Sequence, residues 1–540
     1  MSDDATELLA SLDQEQRRVA TALRGPVLVI AGAGTGKTRA ITQRIAYGVE
    51  VGAYDPRKVL ALTFTAKAAG EMRQRLRLLG IGQVQARTFH AAALRQLIYF
   101  WPEVFGGRFP KVLTSKSSLL SASAERIGST IKINPQTLRE ISSEVEWSKS
   151  LSLAPDQYPA EAKQAGRQVS INLGEIARIY ESYESIKRDE RVIDFEDVLL
   201  LTIGMLEEES SVANRVRDQY RFFTVDEYQD VSPLQQRLLD LWLGSRKDIC
   251  VVGDPAQTIY SFAGATPAFL LNFTKRYPES EVIRLNRGYR STQEIINYAN
   301  LLIRDRLAPE IGAELIAGEI RHGAHVRLTG HTRVEDEVRA VVNEVREEIG
   351  SRQDPRQIAV LARTNNQLEA LARSFRIAKI EFQIRESERF FENREVADAI
   401  RSIRSASVLS DTEGDWRLEL KQLLAPLGTD PKIRAILDLA MEDPSIPSMR
   451  EFLRELEDRK DQNNPPQLPG ITLATFHAAK GLEWESVYLF GVSEGIVPWV
   501  ASPVDEERRL LYVGITRAKD RLAISYSGVR SPLLPAEIST

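Results

Sequence analysis

Cysteine is almost missing: Cys250 stands alone in 540 residues. Within the chain that excludes a disulfide framework and any cysteine-based zinc site. Cys250 lies in the apolar run Asp248-Ile249-Cys250-Val251-Val252-Gly253, where a thiol packs as a small buried hydrophobe. Long hydrophobic runs are missing too. No window of 18 apolar residues exists, so no membrane-spanning helix is expected. The start, Met1-Ser2-Asp3-Asp4, is acidic where a signal peptide would be basic, and a cytosolic home is the default expectation. Charge of one sign is lacking as well. The 71 basic and 75 acidic residues leave −4 net, so attraction of the whole chain to a polyanion is excluded. Any nucleic-acid binding must come from a local groove. The stretches Arg73 to Arg77 and Arg508-Arg509 read, on their own, as solvated helix faces.

What is present is ordinary in bulk and unusual in detail. A content of 43% apolar and 27% charged residues suits a soluble globular protein. Single cores stop growing near ~250–300 residues, so more than one domain is expected. Val27-Leu28-Val29-Ile30-Ala31-Gly32-Ala33-Gly34-Thr35-Gly36-Lys37-Thr38 is an apolar run feeding a small-residue loop that ends in Lys-Thr. Small residues at Ala33, Gly34, Thr35 and Gly36 let backbone N–H groups close around phosphates. Lys37 can then reach the β- and γ-phosphates, and the Thr38 hydroxyl can bind Mg²⁺. The first pattern position is Ala31 rather than glycine. Almost 190 residues later, Phe222-Phe223-Thr224-Val225-Asp226-Glu227 ends a second apolar run in paired acids. Asp226 can complete a metal site, and Glu227 can orient or deprotonate an attacking water. Loop and acid pair together indicate a nucleoside triphosphatase.

Short β-rich runs alternate with helical stretches, as in parallel α/β sheets. The expected strands are Pro26–Ile30, Val59–Thr63, Phe222–Asp226 and Ile249–Val252 in one set. A second set is Val326–Thr329, Ile358–Leu361, Phe382–Arg385, Ile471–Thr475, Val487–Phe490 and Leu522–Ser525. Only the first set carries a phosphate loop. Residues 91–220 and 401–470 are helical by pattern and read as insertions; the second ends in the breaker run Asp461 to Gly470. Beyond the coarse duplication of two α/β halves there is no internal repeat.

Asp254-Pro255-Ala256-Gln257-Thr258-Ile259-Tyr260 follows a strand, and Gln257 could sense a γ-phosphate; alone, the segment reads as a turn. Leu285-Asn286-Arg287-Gly288-Tyr289-Arg290-Ser291-Thr292 offers an aromatic plane beside a guanidinium, and Tyr512 to Lys519 supplies Arg517. Phosphoryl transfer needs cations on the equatorial oxygens, which arginine provides with a fixed fork. Either arginine in isolation reads as a surface residue.

In this order the segments resemble the superfamily 1 DNA helicases of the UvrD/Rep/PcrA group, from about Leu12 to Ser527. The motifs carrying the likeness include Leu12 to Gln16, Ala31 to Thr38, Thr63 to Met72, Thr88 to Ala91 and Val225 to Asp230. Gly253 to Ala265, Tyr289 to Thr292, Thr475 to Glu483 and Tyr512 to Ala518 complete them. The sequence resembles the short-insert bacterial UvrD paralogue, and it is expected to work without the tetracysteine and HRDC modules that usually follow in that group. The resemblance implies an α/β fold of two RecA-like parallel-sheet cores, each with a mainly helical insertion, ATP in the cleft between them and single-stranded DNA across their top. Residues 1–90 and 221–285 would form the first core, and 91–220 its insertion. Residues 286–400 and 471–530 would form the second, 401–470 its shortened insertion, and 531–540 a tail.

By resemblance, Gln16 reads the adenine edge, Arg39 and Tyr289 flank the ring, and Glu483 lies near the ribose and γ-phosphate. Lys37, Thr38, Asp226 and Glu227 keep the roles given above, with ATP and Mg²⁺ as cofactors. Gln257, Arg290 and Arg517 become γ-phosphate sensors, both arginines acting as fingers in cis. On the DNA side Phe64 and Phe262 stand where bases stack, at ~1–3 kcal/mol per base, and Tyr260 is among the residues expected to bind DNA. Lys67, His90, Arg363, Asn365 and His477 match positions along the single-strand track. Phe262 replaces the usual Trp, Ala263 an Arg and Thr65 an Asn. The implied activity is a DNA-dependent ATPase and 3′→5′ helicase acting on single-stranded and forked DNA in repair or replication. It would be a monomer by default, in the bacterial cytosol or nucleoid, away from membranes. The alternatives are a translocase that strips proteins but unwinds poorly, and an ATP-switched recruitment module. Intact Glu227, Arg290 and Arg517 argue against the latter.

Overall fold

Val59–Thr63 and Ile471–Thr475 form strands where the apolar, β-branched pattern puts them, and the other expected strands shift by a few residues at their ends. A computed structural model describes residues 3–304, 314–318, 321–351, 354–385, 390–409, 415–428, 430–442, 444, 446–461, 466, 468–500 and 502–535. By packing, these fall into two units. One comprises Met1–Ile30, Thr38–Phe64 and Gln83–Ile283, and the other Ala31–Lys37, Thr65–Gly82 and Arg284–Thr540.

The first unit is built on a six-stranded sheet in the order Gln85–Thr88, Val59–Thr63, Phe222–Val225, Ile249–Gly253, Val27–Ala31, Glu281–Leu285. The ladders joining the first five are parallel. Phe64, Asp226, Asp254 and the loop after Ala31 therefore all leave from the carboxyl edge of the sheet, the edge at which open α/β sheets bind ligands. The central strands are buried along their whole length, as a sheet covered on both faces requires. Cys250 is buried and free within one of them, and burial raises its thiol pKa. The two end strands, Gln85–Thr88 and Glu281–Leu285, are additional to the expected set. Their mixed burial explains why the sequence does not announce them.

Between Phe89 and Gln219 the chain is mostly helical, as expected, with one short parallel pair, Lys111–Val112 and Val192–Ile193. Ile141, Val145, Trp147, Tyr158 and Tyr183 anchor a separate apolar cluster there. Beside it the Lys149 ammonium, 2% exposed, contacts Asp194 and Asp197 at 2.6 Å and Glu184 at 2.8 Å. Lys187 meets the same three acids. Burial opposes the charge on Lys149, but the carboxylates prevail and hold its pKa well above the usual value. The carboxylate trio lies close enough to hold a metal, yet the Lys149 and Lys187 ammonium groups each already pair with all three acids.

The second unit carries another six-stranded sheet, ordered Arg327–His331, Ala518–Ser527, Trp484–Phe490, Ile358–Ala362, Ile471–Thr475, Phe382–Ile384, with every ladder parallel. These are two RecA-like parallel-sheet cores. The helices Arg394–Leu409, Trp416–Leu424, Pro431–Glu442 and Met449–Asp461 bury Val396, Ile403, Leu420, Ile436, Phe452 and Leu456 in a cluster of their own. The expected boundary at Arg401 falls inside the first of these helices. Phe390 and Phe391 already belong to the cluster, so the helical packing begins there rather than at Arg401.

Candidate nucleotide-binding site and aromatic track

The strand Val27–Ala31 runs into the phosphate loop, and helix Lys37–Glu50 starts at its end. Gly34 and Gly36 take φ of +70° and +77°, a left-handed conformation that costs other residues roughly 1–2 kcal/mol. Thr35 Oγ1 donates to the Gly32 carbonyl at 2.9 Å and pins the turn. A helix N-terminus preceded by such a loop is a ready anion site, through unsatisfied N–H groups and the helix dipole. Ala33 is buried, whereas Lys37 and Thr38 keep partial exposure and Arg39 is exposed.

Arg290 closes on this loop within the same unit. A Cβ on Gly34 would stand 2.7 Å from the Arg290 Cβ, and Tyr289 N–H donates to the Gly34 carbonyl at 2.9 Å. The Arg290 guanidinium binds Glu483 at 2.7 Å and the Thr516 carbonyl at 3.1 Å. Glu483 also meets Lys519 at 2.9 Å. Burial would raise the Glu483 pKa, but Arg290 and Lys519 draw it down to about 2. The Tyr289 ring packs against Gly318, where any Cβ would collide with it at 2.4 Å. Arg517 is 2% exposed and donates to the carbonyls of Val513 and Leu482 at 2.8 and 3.1 Å. Its guanidinium thus braces the turn after helix Val504–Ile515, a role the motif alone does not reveal.

In the first unit, Asp226 Oδ1 accepts the Glu227 N–H at 2.9 Å, and Glu227 sits at φ +54°. A left-handed glutamate is strained, and such strain gathers at functional sites. Gln229, fully buried, donates its amide to Glu227 and accepts from the Asp254 N–H at 3.0 Å. Asp254 in turn accepts from the Gln257 amide at 2.6 Å. A hydrogen-bonded chain therefore joins the acid pair to the Gln257 loop. Thr38 and Asp226 offer oxygen donors of the kind a hard divalent cation takes, which fits Mg²⁺. Gln16 is buried and forms a capping box with Asp13, its N–H donating to Asp13 Oδ1 at 2.7 Å.

Phe64 stacks on Tyr260 with ring centroids 5.2 Å apart, and Tyr260 meets Phe262 edge-on at 6.1 Å. Phe262 remains 47% exposed. His90 stacks on Phe195 at 4.0 Å, and Phe195 is 49% exposed. The sequence reading missed Phe195. Its signal was an aromatic at the start of a helix whose N-cap, Asp194, is fixed in the lysine–carboxylate network. Burial depresses the pKa of His90 to about 3, so the ring is neutral.

In the second unit, Lys67 pairs with Glu71 at 3.4 Å on the helix capped by Thr65, whose hydroxyl accepts from Ala68 as a cap should. Arg363 is held in a fork by the buried Glu507, at 2.8 and 3.0 Å, and lies over Trp499. Its charge serves the packing here as much as any track. Asn365 is exposed at the start of its helix. Burial, then the Arg363 charge, lowers the His477 pKa to about 4.

Two family models match this chain. The UvrD/REP helicase N-terminal domain covers residues 12–278, and the UvrD-like helicase C-terminal domain covers 283–413 and 433–528. The ATP-dependent DNA helicase UvrD2 of Mycobacterium tuberculosis (strain ATCC 25618 / H37Rv) is 40% identical over 569 residues, covering 98% of this chain and 81% of the relative. PcrA of Leuconostoc citreum is 27% identical over 96% of this chain and 82% of its own. Rep of Escherichia coli (strain K12) is 27% identical over 95% of this chain and 90% of its own.

Proposed function

The chain belongs to the UvrD/REP helicase family of DNA-dependent ATPases, and from that premise we propose that it is a Mg²⁺–ATP motor moving 3′→5′ along single-stranded DNA. The observation carrying this reading is the bonded chain Glu227–Gln229–Asp254–Gln257, which ends three residues before Tyr260, the ring that stacks on Phe64 and meets Phe262 edge-on. It links the residues suited to hydrolysis with those suited to gripping bases. Thr38 and Asp226 would hold Mg²⁺, which when bound neutralises charge on the β- and γ-phosphates. Lys37 compensates the γ-phosphate charge, and Glu227 orients the attacking water and accepts its proton. Arg290 meets charge that grows on the equatorial oxygens in the transition state. Arg517 acts beside it, held rigid by its carbonyl bonds. Tyr289 and Arg39 flank adenine, and Gln16 reads its edge.

Phe64, Tyr260 and Phe262 stack bases without reading sequence, because every base has a π-face. His90 with Phe195, together with Lys67, Arg363, Asn365 and His477, extends the track. Forked duplex is the substrate, in repair or replication, and the protein acts as a monomer on chromosomal DNA in the cytosol. No helix among the described residues is long and apolar enough to cross a membrane. The alternative is a translocase that strips bound proteins and unwinds little. Unwinding of duplexes with a 3′ or a 5′ tail, run beside displacement of a protein block, separates the two.

A further inference from the structure

The loop bearing Phe262 is held by a clamp from the first core's helical insertion. Helix Pro135–Ser150 contributes Glu144, buried, and Trp147. Arg167, just past helix Tyr158–Gln164, donates to Glu144 through Nε at 2.8 Å and Nη2 at 2.6 Å. Its guanidinium carbon lies 4.6 Å from the Trp147 ring centroid. The Tyr158 hydroxyl donates to Glu144 Oε2 at 2.9 Å, so the carboxylate is fixed from two sides. With the fork and the plane both set, the remaining Arg167 Nη1 donates to the Phe262 carbonyl at 3.1 Å. Gly264, at φ +87°, seats the same loop on this helix: a Cβ there would lie 1.9 Å from Ser150 Oγ. Ser150 Oγ itself donates to the Trp147 carbonyl at 2.7 Å. Phe262 lies in the three-residue 3₁₀ turn Ser261–Ala263, whose side chains are not buried, so the turn is anchored through its backbone.

We propose that Arg167, fixed by Glu144 and Trp147, is a positioning residue that presents Phe262 to single-stranded DNA. The inference rests on the stacking role of Phe262 proposed above. Arginine suits the task and lysine does not, because only a planar fork can grip a carboxylate, lie on an indole and still aim one N–H outward. The insertion thereby tunes the grip of the motor from outside the helicase motifs.

The test is a double-mutant cycle on the full chain with Arg167→Ala and Phe262→Ala. It reads the Kd for an oligo-dT strand, and the DNA concentration for half-maximal ATPase against kcat at saturating DNA. Arg167→Ala should raise both Kd and the half-maximal DNA concentration by about 3- to 10-fold, part of the value of one stacked base, with kcat nearly unchanged. In the Phe262→Ala background the same change should cost less than about twofold, since coupled residues are non-additive. Equal losses in both backgrounds overturn the positioning role while leaving the stacking role intact. An unchanged Kd in Phe262→Ala overturns the stacking role, and the inference with it. Where Arg167→Ala melts early because Glu144 is left unpaired, the charge-free pair Glu144→Gln with Arg167→Met replaces it, with the same outcomes deciding.

Discussion

Gly34 and Arg290 share one space: the position of a Gly34 Cβ lies 2.7 Å from the Arg290 Cβ, and the glycine holds φ +70°. Even one methyl group must therefore move the arginine or flatten the phosphate loop. Gly34→Ala is expected to lose ATP turnover by at least the ~10³-fold scale of a lost arginine finger. Steady-state ATPase with saturating single-stranded DNA measures this. Near-normal turnover would show that loop and arginine do not work as a unit.

Lys37→Ala should abolish turnover, because the γ-phosphate loses its main compensating charge. Glu227→Gln should bind ATP and fail to hydrolyse it, since the amide cannot accept the proton. The amide also changes the partner of Gln229, so movement of the Gln257 loop is expected with it. Nucleotide affinity and turnover, measured together, check both.

Arg290→Ala and Arg517→Ala should differ. Each is expected to lower kcat by as much as ~10³-fold with far smaller change in ATP affinity. Arg517→Ala should also lower the melting temperature, because the Val513 and Leu482 carbonyls lose a buried donor. Arg290 is bonded chiefly to the half-exposed Glu483, and its alanine variant should melt near the parent. A raised KM with unchanged kcat would make them binding residues instead.

Phe64→Ala and Phe262→Ala should each weaken single-strand binding by roughly 1–3 kcal/mol. The salt dependence should barely change, because its slope counts neutralised phosphates. Phe195→Ala belongs to the same set by its stack on His90. A markedly shallower salt slope in any of them would contradict stacking.

Stability should fall on mild acidification. Burial holds His90 near pKa 3 and His477 near 4, against 6.5 for the free side chain. Both are neutral in the fold, so the unfolded chain binds more protons below about pH 6.5. The stability they contribute is complete above that pH and is lost as the pH falls toward 4. Thermal melting at pH 7.5 and 5 should show the drop, and His477→Gln should flatten part of it.

The second insertion can be excised at a place the packing now indicates. Cutting at about residue 410 would strand the apolar face of Val396, Ile400 and Ile403, and cutting just after Phe391 would strand Phe390 and Phe391, so a linker should replace about 390–466. DNA-stimulated ATPase is expected to survive and unwinding to change more. A low-melting protein without ATPase would show that these helices support the second core.

The buried strands and the phosphate loop could be read from the chain because both rest on local rules: a β-branched run, and glycines at positive φ. Gln85–Thr88 and Glu281–Leu285 could not, since end strands are half polar and lack that run. The motif residues came by resemblance, but their partners came only from the fold. Arg363 is separated by 144 residues from Glu507, and Arg290 by 193 from Glu483. No periodicity encodes such pairs. Phe195 was missed for a related reason: an aromatic beside an acidic helix start reads as a core residue until its exposure is seen.

The central claim is directional, ATP-driven movement that opens duplex DNA. The most direct measurement is unwinding of one duplex carrying either a 3′ or a 5′ single-stranded tail, with the parent chain and Glu227→Gln side by side. The account predicts ATP-dependent strand separation from the 3′ tail alone, and none by Glu227→Gln despite ATP binding. Equal unwinding from either tail, preference for the 5′ tail, or full DNA-stimulated hydrolysis without strand separation would contradict it.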